Sequence, residues 1–401
     1  MRAYYFFELN SIIRNKKNLA AIILLLITTL YYVFVIEPNY QPDERVDAVG
    51  IQQDYDEMSH WLENYRGEGI SSGAAFALSY FPPLVELNEM RLDALDREDY
   101  AFYTGATAKW YQYEDQWIFS SPEFLSYNTA YYGIDQQYPL QEGRYWYLNT
   151  ATRYSAYVDK GTRITPAVLE ERTALQTGVR AWNSSIVPVA LIGLVVIFSI
   201  DIVTKDRNHL SLVRSFPLSF EQKLWVKTAV VLTAFSIVSL SFFLIGLSIV
   251  ALKEGFGSFS IPVTVFNGPI LLEENFYIIS IGLFYLQAIC LMLAIAYLFT
   301  RFIILCSLLL KNEYFNLLVG LAVIFTERLY YIRGIGYFSN VDLFPSTFFR
   351  VGEVLSGYQN HLYNSSVISF EIGIASIVAA IVVVEILLFL VSRFKRVRAI
   401  I

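Results

Sequence analysis

Long apolar runs alternate with short polar, basic segments along this chain of 401 residues. A helix needs about 20 predominantly apolar residues to cross a bilayer, and several runs reach or approach that length. The pattern therefore predicts a membrane all-α architecture with six transmembrane helices. The six predicted spans are residues 19–36, 186–203, 228–252, 276–310, 314–330 and 367–391.

Basic residues mark one side of the predicted membrane domain. Arg14, Lys16 and Lys17 precede the first span, and a basic tail at 392–401 follows the last one. Segment 204–227, between the second and third spans, is also net basic. Lysine and arginine concentrate in cytoplasmic loops, so both termini and this segment are predicted to be cytoplasmic.

The N-terminal segment 1–18 is aromatic and basic. Tyr4, Phe7 and Ile12 can share one face of a helix. Such a helix can lie flat on the membrane surface, with its apolar face in the headgroup region. The alternative is that these residues only flank the first span.

A large polar insert, 37–183, separates the first two predicted spans and is the size of an ordinary domain. It is acidic and rich in Tyr and Trp, and it contains no cysteine. Apolar spacing predicts helices at 84–100 and 166–182. Aromatic and β-branched residues between turn signals predict strands at 109–120 and 144–158. The insert is therefore predicted to be an extracytoplasmic mixed α+β domain, whose aromatic side chains either form a core or stack on a peptide or sugar.

The overall composition excludes a water-soluble globule. Charged residues make up 16% of the chain and the mean hydropathy is +0.44, whereas soluble domains carry about a quarter charged residues. One further polar stretch, 331–366, is rich in Phe, Tyr and Gly and lies before the last span. It is predicted to be an outer loop or a re-entrant segment, since non-helical backbone at membrane depth must be buried in protein or face water.

Segment 204–227 contains the pattern of a short helix. Asp206 is a residue type that caps helix N-termini, and Pro217 ends the helix. His209, Leu212, Val213 and Phe216 form a narrow apolar face, while Arg207 and Arg214 face elsewhere. The simplest alternative is a basic loop that only satisfies the topology.

No nucleotide or metal site is recognisable in the sequence. The phosphate-binding pattern GxxxxGK[ST] does not occur. Residues 355–359, LSGYQ, are similar to the LSGGQ signature of transport ATPases but lack its second glycine. His60, His209 and His361 do not have metal-ligand spacing. The chain is therefore predicted to have no enzymatic activity and no bound cofactor of its own.

Arg301, Glu371 and Glu385 are ionisable residues within or near predicted spans, and Asp201 lies near the inner end of the second span. Such groups are costly in a bilayer and usually face a bundle interior or water. Arg301 and Glu385 both lie toward the predicted inner side and can pair. These residues either line a translocation path or form a structural ion pair.

The layout resembles that of ABC-2 type permeases, the membrane subunits of a large class of ABC exporters. A surface helix, six spans, a loop between spans two and three, and a kinked return after span five are shared. Three local stretches are also similar: Asp206-Arg207 through Phe216-Pro217 to Lys227, Ser307–Asn312, and Pro345–Gly357.

The resemblance implies a partner ABC ATPase that binds ATP and Mg²⁺ and docks on segment 204–227. It also implies a second permease copy or a sibling permease, and a bacterial cell membrane as the location. The cargo would be a peptide, a toxin or an amphipathic or lipid-linked molecule. The implied docking residues are Asp206, Arg207, His209, Leu212, Val213, Arg214 and Phe216.

Two other classes of function remain open at this stage. A membrane sensor or immunity protein would bind an extracellular ligand through the insert and would need no ATPase. An integral membrane enzyme would need clustered His, Asp or Ser within the spans, and the sequence does not provide such a cluster.

Overall fold

Five helices of the described chain are long and apolar enough to cross a membrane. The computed structural model describes residues 1–42, 44–65, 71–209, 213, 215–269, 271–331, 334–336 and 340–393. The protein is mostly helical, and its long helices are compatible with a multi-pass membrane protein. The five are α2 (Lys16–Tyr31, continued by a π-helical turn, Tyr32–Ile36), α9 (Ile186–Ser199, with turns to Asp206), α10 (Phe220–Glu254), α11 (Ile281–Leu310) and α16 (Phe370–Ser392).

The remaining predicted span, 314–330, forms a shorter element. Helix α12 (Glu313–Ile324) is followed after a break by α13 (Glu327–Tyr330). Twelve helical residues extend about 18 Å, which is less than the roughly 30 Å of hydrocarbon in a bilayer. The break coincides with buried Glu327, whose carboxylate accepts hydrogen bonds from Arg350 and Tyr363. A polar network therefore interrupts the apolar run.

Local capping explains where four of the five long helices begin. Asn15 accepts a hydrogen bond from the backbone of Lys17 and separates α1 (Arg2–Arg14) from α2. Ser219 forms a capping box with Gln222 at the start of α10. Ser280 caps α11 and Ser369 caps α16, each through a hydroxyl group that accepts one backbone hydrogen bond.

Helix α11 is the centre of the bundle. It packs against α9, α10, α12 and α16, and 67% of its most apolar window is buried. Only 6% of the corresponding window of α2 is buried, so α2 lies at the periphery. The bundle core is therefore assembled around α11 together with α9, whose most apolar window is 61% buried.

Every regular element that the structure describes in the insert is a helix, and the predicted strands are wrong. Residues 109–120 belong to α5 (Tyr100–Ser120), and residues 144–158 belong to α6 (Pro139–Asp159). Tyr103, Thr107, Tyr111, Glu114 and Ile118 are buried along α5 at spacings of three and four, as expected for a helix face. Strand propensity reflects packing on a half-buried surface, and here the same aromatic residues pack between helices. The helices of the insert are α3 (Ala48–Asn64), α4 (Ser72–Asp96), α5 (Tyr100–Ser120), α6 (Pro139–Asp159), α7 (Pro166–Leu169) and α8 (Ala174–Asn183).

The predicted helices of the insert exist with different limits. Residues 84–100 lie mostly within α4, which starts twelve residues earlier and ends at Asp96. Residues 166–182 are divided between α7 and α8, because Glu171 adopts a positive φ between them. At the base of the insert, Arg180 donates to Glu37 at 2.5 Å, and so joins the chain entering the insert to the chain leaving it.

The only sheet among the described residues lies outside the insert. Strands β1 (Pro262–Phe266) and β2 (Phe276–Ser280) pair antiparallel, with Pro262 opposite Ser280 and Phe266 opposite Phe276. Residues 276–280, predicted to begin the fourth span, therefore form a strand before α11. The hairpin packs against α6 of the insert.

The described part of segment 331–366, namely 331, 334–336 and 340–366, contains a series of short helical turns packed onto the rest of the protein. The 3₁₀ turns Val341–Leu343 and Pro345–Phe349 contact α16, and α14 (Val351–Leu355) contacts α8 and α11. Helix α15 (Tyr358–Tyr363) follows Gly357, which has a φ of +72°. The Ser356 carbonyl accepts a hydrogen bond from the Phe266 amide, so the LSGYQ stretch joins this segment to β1.

Candidate functional site: buried ion clusters of the helix bundle

Glu8 is the least expected residue of the N-terminal helix. It lies one turn from both Tyr4 and Ile12, and all three side chains are buried. The predicted face contained Phe7 in its place, but Phe7 is 38% exposed. Glu8 is the only acidic residue in segment 1–18, and its four-residue spacing from Tyr4 and Ile12 was the signal that sequence reasoning missed.

Lys227 is fully buried and donates three hydrogen bonds. Its Nζ lies 2.6 Å from Oε1 of Glu8, 3.0 Å from Oδ1 of Asp206 and 2.7 Å from the carbonyl oxygen of Ile202. Three bonds use the full donor capacity of an ammonium group. Lys205 binds the other oxygen of Glu8 at 2.7 Å. We refer to Glu8, Lys205, Asp206 and Lys227 as the basal cluster.

The basal cluster balances two carboxylates against two ammonium groups. Burial by itself raises the pKa of Glu8, but the charges of Lys227 and Lys205 outweigh burial and hold the pKa below its ordinary value. Glu8 is therefore ionised at neutral pH. Removing one member of such a cluster leaves an uncompensated buried charge, which is strongly destabilising.

The cluster joins three elements that are distant in sequence. Glu8 comes from α1, Asp206 from the 3₁₀ helix Thr204–His209 that follows α9, and Lys227 from the second turn of α10. Segment 204–219 is thus held to the N-terminal helix at its start, where Lys205 binds Glu8, and near its end, where Phe216 packs on Tyr4.

The described members of the predicted docking set face into the protein. Asp206 does not cap a helix as expected, because it lies inside a 3₁₀ helix and binds Lys227. Val213 is buried, and its carbonyl accepts a hydrogen bond from Lys223 at 3.0 Å. Phe216 packs on Tyr4 and Phe7, with ring centroids 5.0 and 5.7 Å away. The side chains of Arg207 and His209, and residues Leu212 and Arg214, lie outside the described part of the chain.

The expected pair between Arg301 and Glu385 is present. Nε and one terminal nitrogen of Arg301 each lie 2.5 Å from a different carboxylate oxygen of Glu385. This bidentate arrangement joins α11 to α16 and is the strongest form of a carboxylate–guanidinium contact. The Tyr297 hydroxyl also donates to Glu385, at 2.9 Å.

Aromatic and hydroxyl groups of α10 complete the surroundings of this pair. The Arg301 guanidinium lies over the Trp225 ring, 4.5 Å from its centroid, and donates to the Thr228 hydroxyl at 3.3 Å. Arg301 is thereby shielded on the α10 side, while the Glu385 side chain is 29% exposed. Glu371, the third predicted residue, lies about 21 Å further along α16 and is exposed. The structure therefore separates Glu371 from the pair.

The described residues contain no cluster of His, Cys, Asp and Glu that could hold a metal ion. His361 instead stacks on Tyr145 of α6 at 4.5 Å between ring centroids. Burial lowers the pKa of His361 to about 3, so it is neutral at physiological pH. This contact fastens the insert to segment 331–366.

Comparison of the chain with protein-family models, with curated proteins and with solved structures finds no match.

Proposed function

We propose that this chain is the permease subunit of an ABC-2-like exporter. It would form half of a transmembrane pathway, with a second copy or a sibling permease supplying the other half. ATP and Mg²⁺ would be bound by a separate ATPase. The cargo class is a peptide, a toxin or an amphipathic or lipid-linked molecule, and the acidity of the insert favours a cationic cargo.

The basal cluster is the observation that carries this proposal. A separate motor must act on the permease through a segment that is rigidly connected to the spans. Segment 204–219 meets this requirement, because Lys205 at its start and Lys227, eight residues beyond its end, both bind Glu8. Buried ion pairs of this kind fix the register between elements. Displacement of the segment would then move α9, α10 and α1 together.

The proposal divides the docking residues into two groups. Asp206, Val213 and Phe216 position the segment from inside, since the first two are buried and the third packs on α1. Arg207, His209, Leu212 and Arg214 are left as the residues that contact the ATPase. The Arg301–Glu385 pair would line or close the pathway, because its carboxylate remains partly exposed at the bundle surface.

Co-purification and ATPase activity test the proposal. The tagged full chain, extracted in mild detergent from its source membranes, should retain a stoichiometric ATPase that binds ATP. Arg207→Ala combined with Leu212→Ala should release the ATPase, and Arg14→Ala, an exposed arginine of α1, should not. If no ATPase is retained, or if the double variant retains it unchanged, the proposed function is wrong.

A sensor or immunity protein is the second candidate. It is favoured by the firm attachment of the insert, in which Tyr145 stacks on His361 and also packs on Phe266 of β1. A ligand bound to the insert could act on the bundle through this attachment. This function predicts ligand protection of insert amides in hydrogen exchange without any associated ATPase.

A further inference from the structure

A groove of about 620 Å³ lies between α1 and the start of α10, and the proposed function does not use it. One wall comes from α1 and the other from the first turns of α10. Its lining includes Arg2, Tyr5, Phe6, Gln222, Trp225 and Ala229. The two largest apolar groups, Phe6 and Trp225, are 54% and 52% exposed. The groove is therefore a lined surface that the described chain leaves uncovered.

Polar contacts join the two walls of the groove. The Tyr5 hydroxyl donates to the Thr233 hydroxyl of α10 at 2.8 Å, and Glu8 of α1 binds Lys227 of α10 at 2.6 Å. These contacts fix the distance between the two helices, so the groove cannot close by rotation of α1. A ligand would find the site already formed, which reduces the ordering that binding requires.

The position of the groove along α10 indicates which level of the bilayer surrounds it. Trp225 lies three residues before Thr228, where the apolar span of α10 begins. Tryptophan is enriched at the level of the lipid headgroups, where its apolar ring and polar N–H are both accommodated. The mouth of the groove therefore lies where a headgroup meets the acyl chains.

Charge and size together select the occupant. Arg2 lines the groove and has no acidic partner among the residues that the structure describes. A helix from a partner protein, about 10 Å across, would fill 620 Å³ within roughly one and a half turns, whereas a flexible acyl chain follows such a groove easily. We propose that the groove binds one anionic phospholipid, with its phosphate on Arg2 and an acyl chain along Phe6 and Trp225.

Quenching of Trp225 by brominated lipids tests this proposal. Trp225 is the one tryptophan outside the insert. The fluorescence of a Trp225→Phe variant therefore gives the contribution of the other five tryptophans, which is subtracted. The full chain would be placed in phosphatidylcholine nanodiscs that contain a small fraction of brominated phosphatidylglycerol or brominated phosphatidylcholine. A basic residue near an anionic surface contributes about 1 kcal/mol of binding free energy. We therefore expect the anionic lipid to be favoured at Trp225 by about fivefold.

Arg2→Gln should reduce this preference to near unity, and the matched variant Arg14→Gln, an exposed arginine of the same helix outside the groove, should keep it. Equal quenching by the two lipids, or a preference that survives Arg2→Gln, would overturn the proposal. Absence of quenching by either lipid would mean that a protein covers Trp225, and would also overturn it. None of these outcomes depends on whether an ATPase binds the chain.

Discussion

The ammonium nitrogen of Lys227 lies 2.6 Å from a carboxylate oxygen of Glu8, although the two residues are 219 positions apart in the chain. Both side chains are completely buried. Through this contact, the N-terminal helix α1, whose sequence predicts a membrane-surface helix, becomes part of the bundle. The contact also holds the segment between α9 and α10 close to α1, because Lys227 binds Asp206 of that segment as well as Glu8.

Replacement of Lys227 should be strongly destabilising. Lys227→Met leaves Glu8 and Asp206 buried with one compensating charge fewer, and we expect a loss of about 3–5 kcal/mol in the free energy of unfolding. Unfolding of the full chain in mixed micelles, followed by circular dichroism of its helices, measures the loss.

Lys16→Met is the matched control for this prediction. Lys16, at the start of α2, is exposed, so its charge remains in contact with solvent. We expect a loss of about 1 kcal/mol or less. Equal losses for the two lysines would show that the basal cluster does not stabilise the fold as proposed.

The Arg301–Glu385 pair should show non-additive substitution energies. Arg301→Met leaves the Glu385 carboxylate without a counter-ion, and should destabilise the protein by about 3 kcal/mol. Adding Glu385→Gln removes that charge and should recover at least about 1 kcal/mol of the loss. The same unfolding assay completes the double-mutant cycle. Glu371→Gln, on the exposed first turn of α16, should change the stability by less than about 0.5 kcal/mol.

Glu114 should make the insert less stable as the pH rises. Burial raises its pKa to about 7, and nearby Asp54 adds to the effect, although the hydrogen bond from Tyr80 opposes it. Because the folded state holds this proton more tightly than the unfolded state, stability is greatest below the unfolded pKa and falls as the pH rises through 7.

Substitution of Glu114 separates its effect from that of other titrating groups. Glu114→Gln should be more stable than the parent chain at pH 8 by about 2–3 kcal/mol, and the difference should shrink toward pH 5. Thermal unfolding followed by tryptophan fluorescence reports on the insert, which contains five of the six tryptophans. The exposed control Glu89→Gln should follow the parent chain at every pH. A difference that does not vary with pH would contradict the prediction.

Gly357 should not tolerate a side chain. It has a φ of +72°, and a Cβ atom would collide with the carbonyl group of Phe266 in β1. Gly357→Ala should therefore destabilise the protein by at least about 2 kcal/mol, and should detach β1 from segment 331–366. Hydrogen exchange at the Phe266 amide, which donates to the Ser356 carbonyl, measures the detachment. Gly193→Ala in α9, where a Cβ meets nothing within 4 Å, should be neutral or slightly stabilising.

The five long helices were predictable because their determinants are local. The length of an apolar run and the position of a capping residue such as Ser219 or Ser280 are set within a few residues. The same local reasoning failed for α5 and α6. Their aromatic residues suit a strand or a helix face equally well, and only the packing of one helix against the other decides between them.

The sequence by itself determined that this protein has long apolar helices, and that Arg301 and Glu385 can meet. Tertiary structure alone decided that Glu8 pairs with Lys227, that the insert is helical, and that the apolar residues Val213 and Phe216 face inward. The physical reason is the range of the interactions. Membrane insertion and helix capping act on neighbouring residues, whereas a buried charge is stable only where packing brings a distant counter-ion to it.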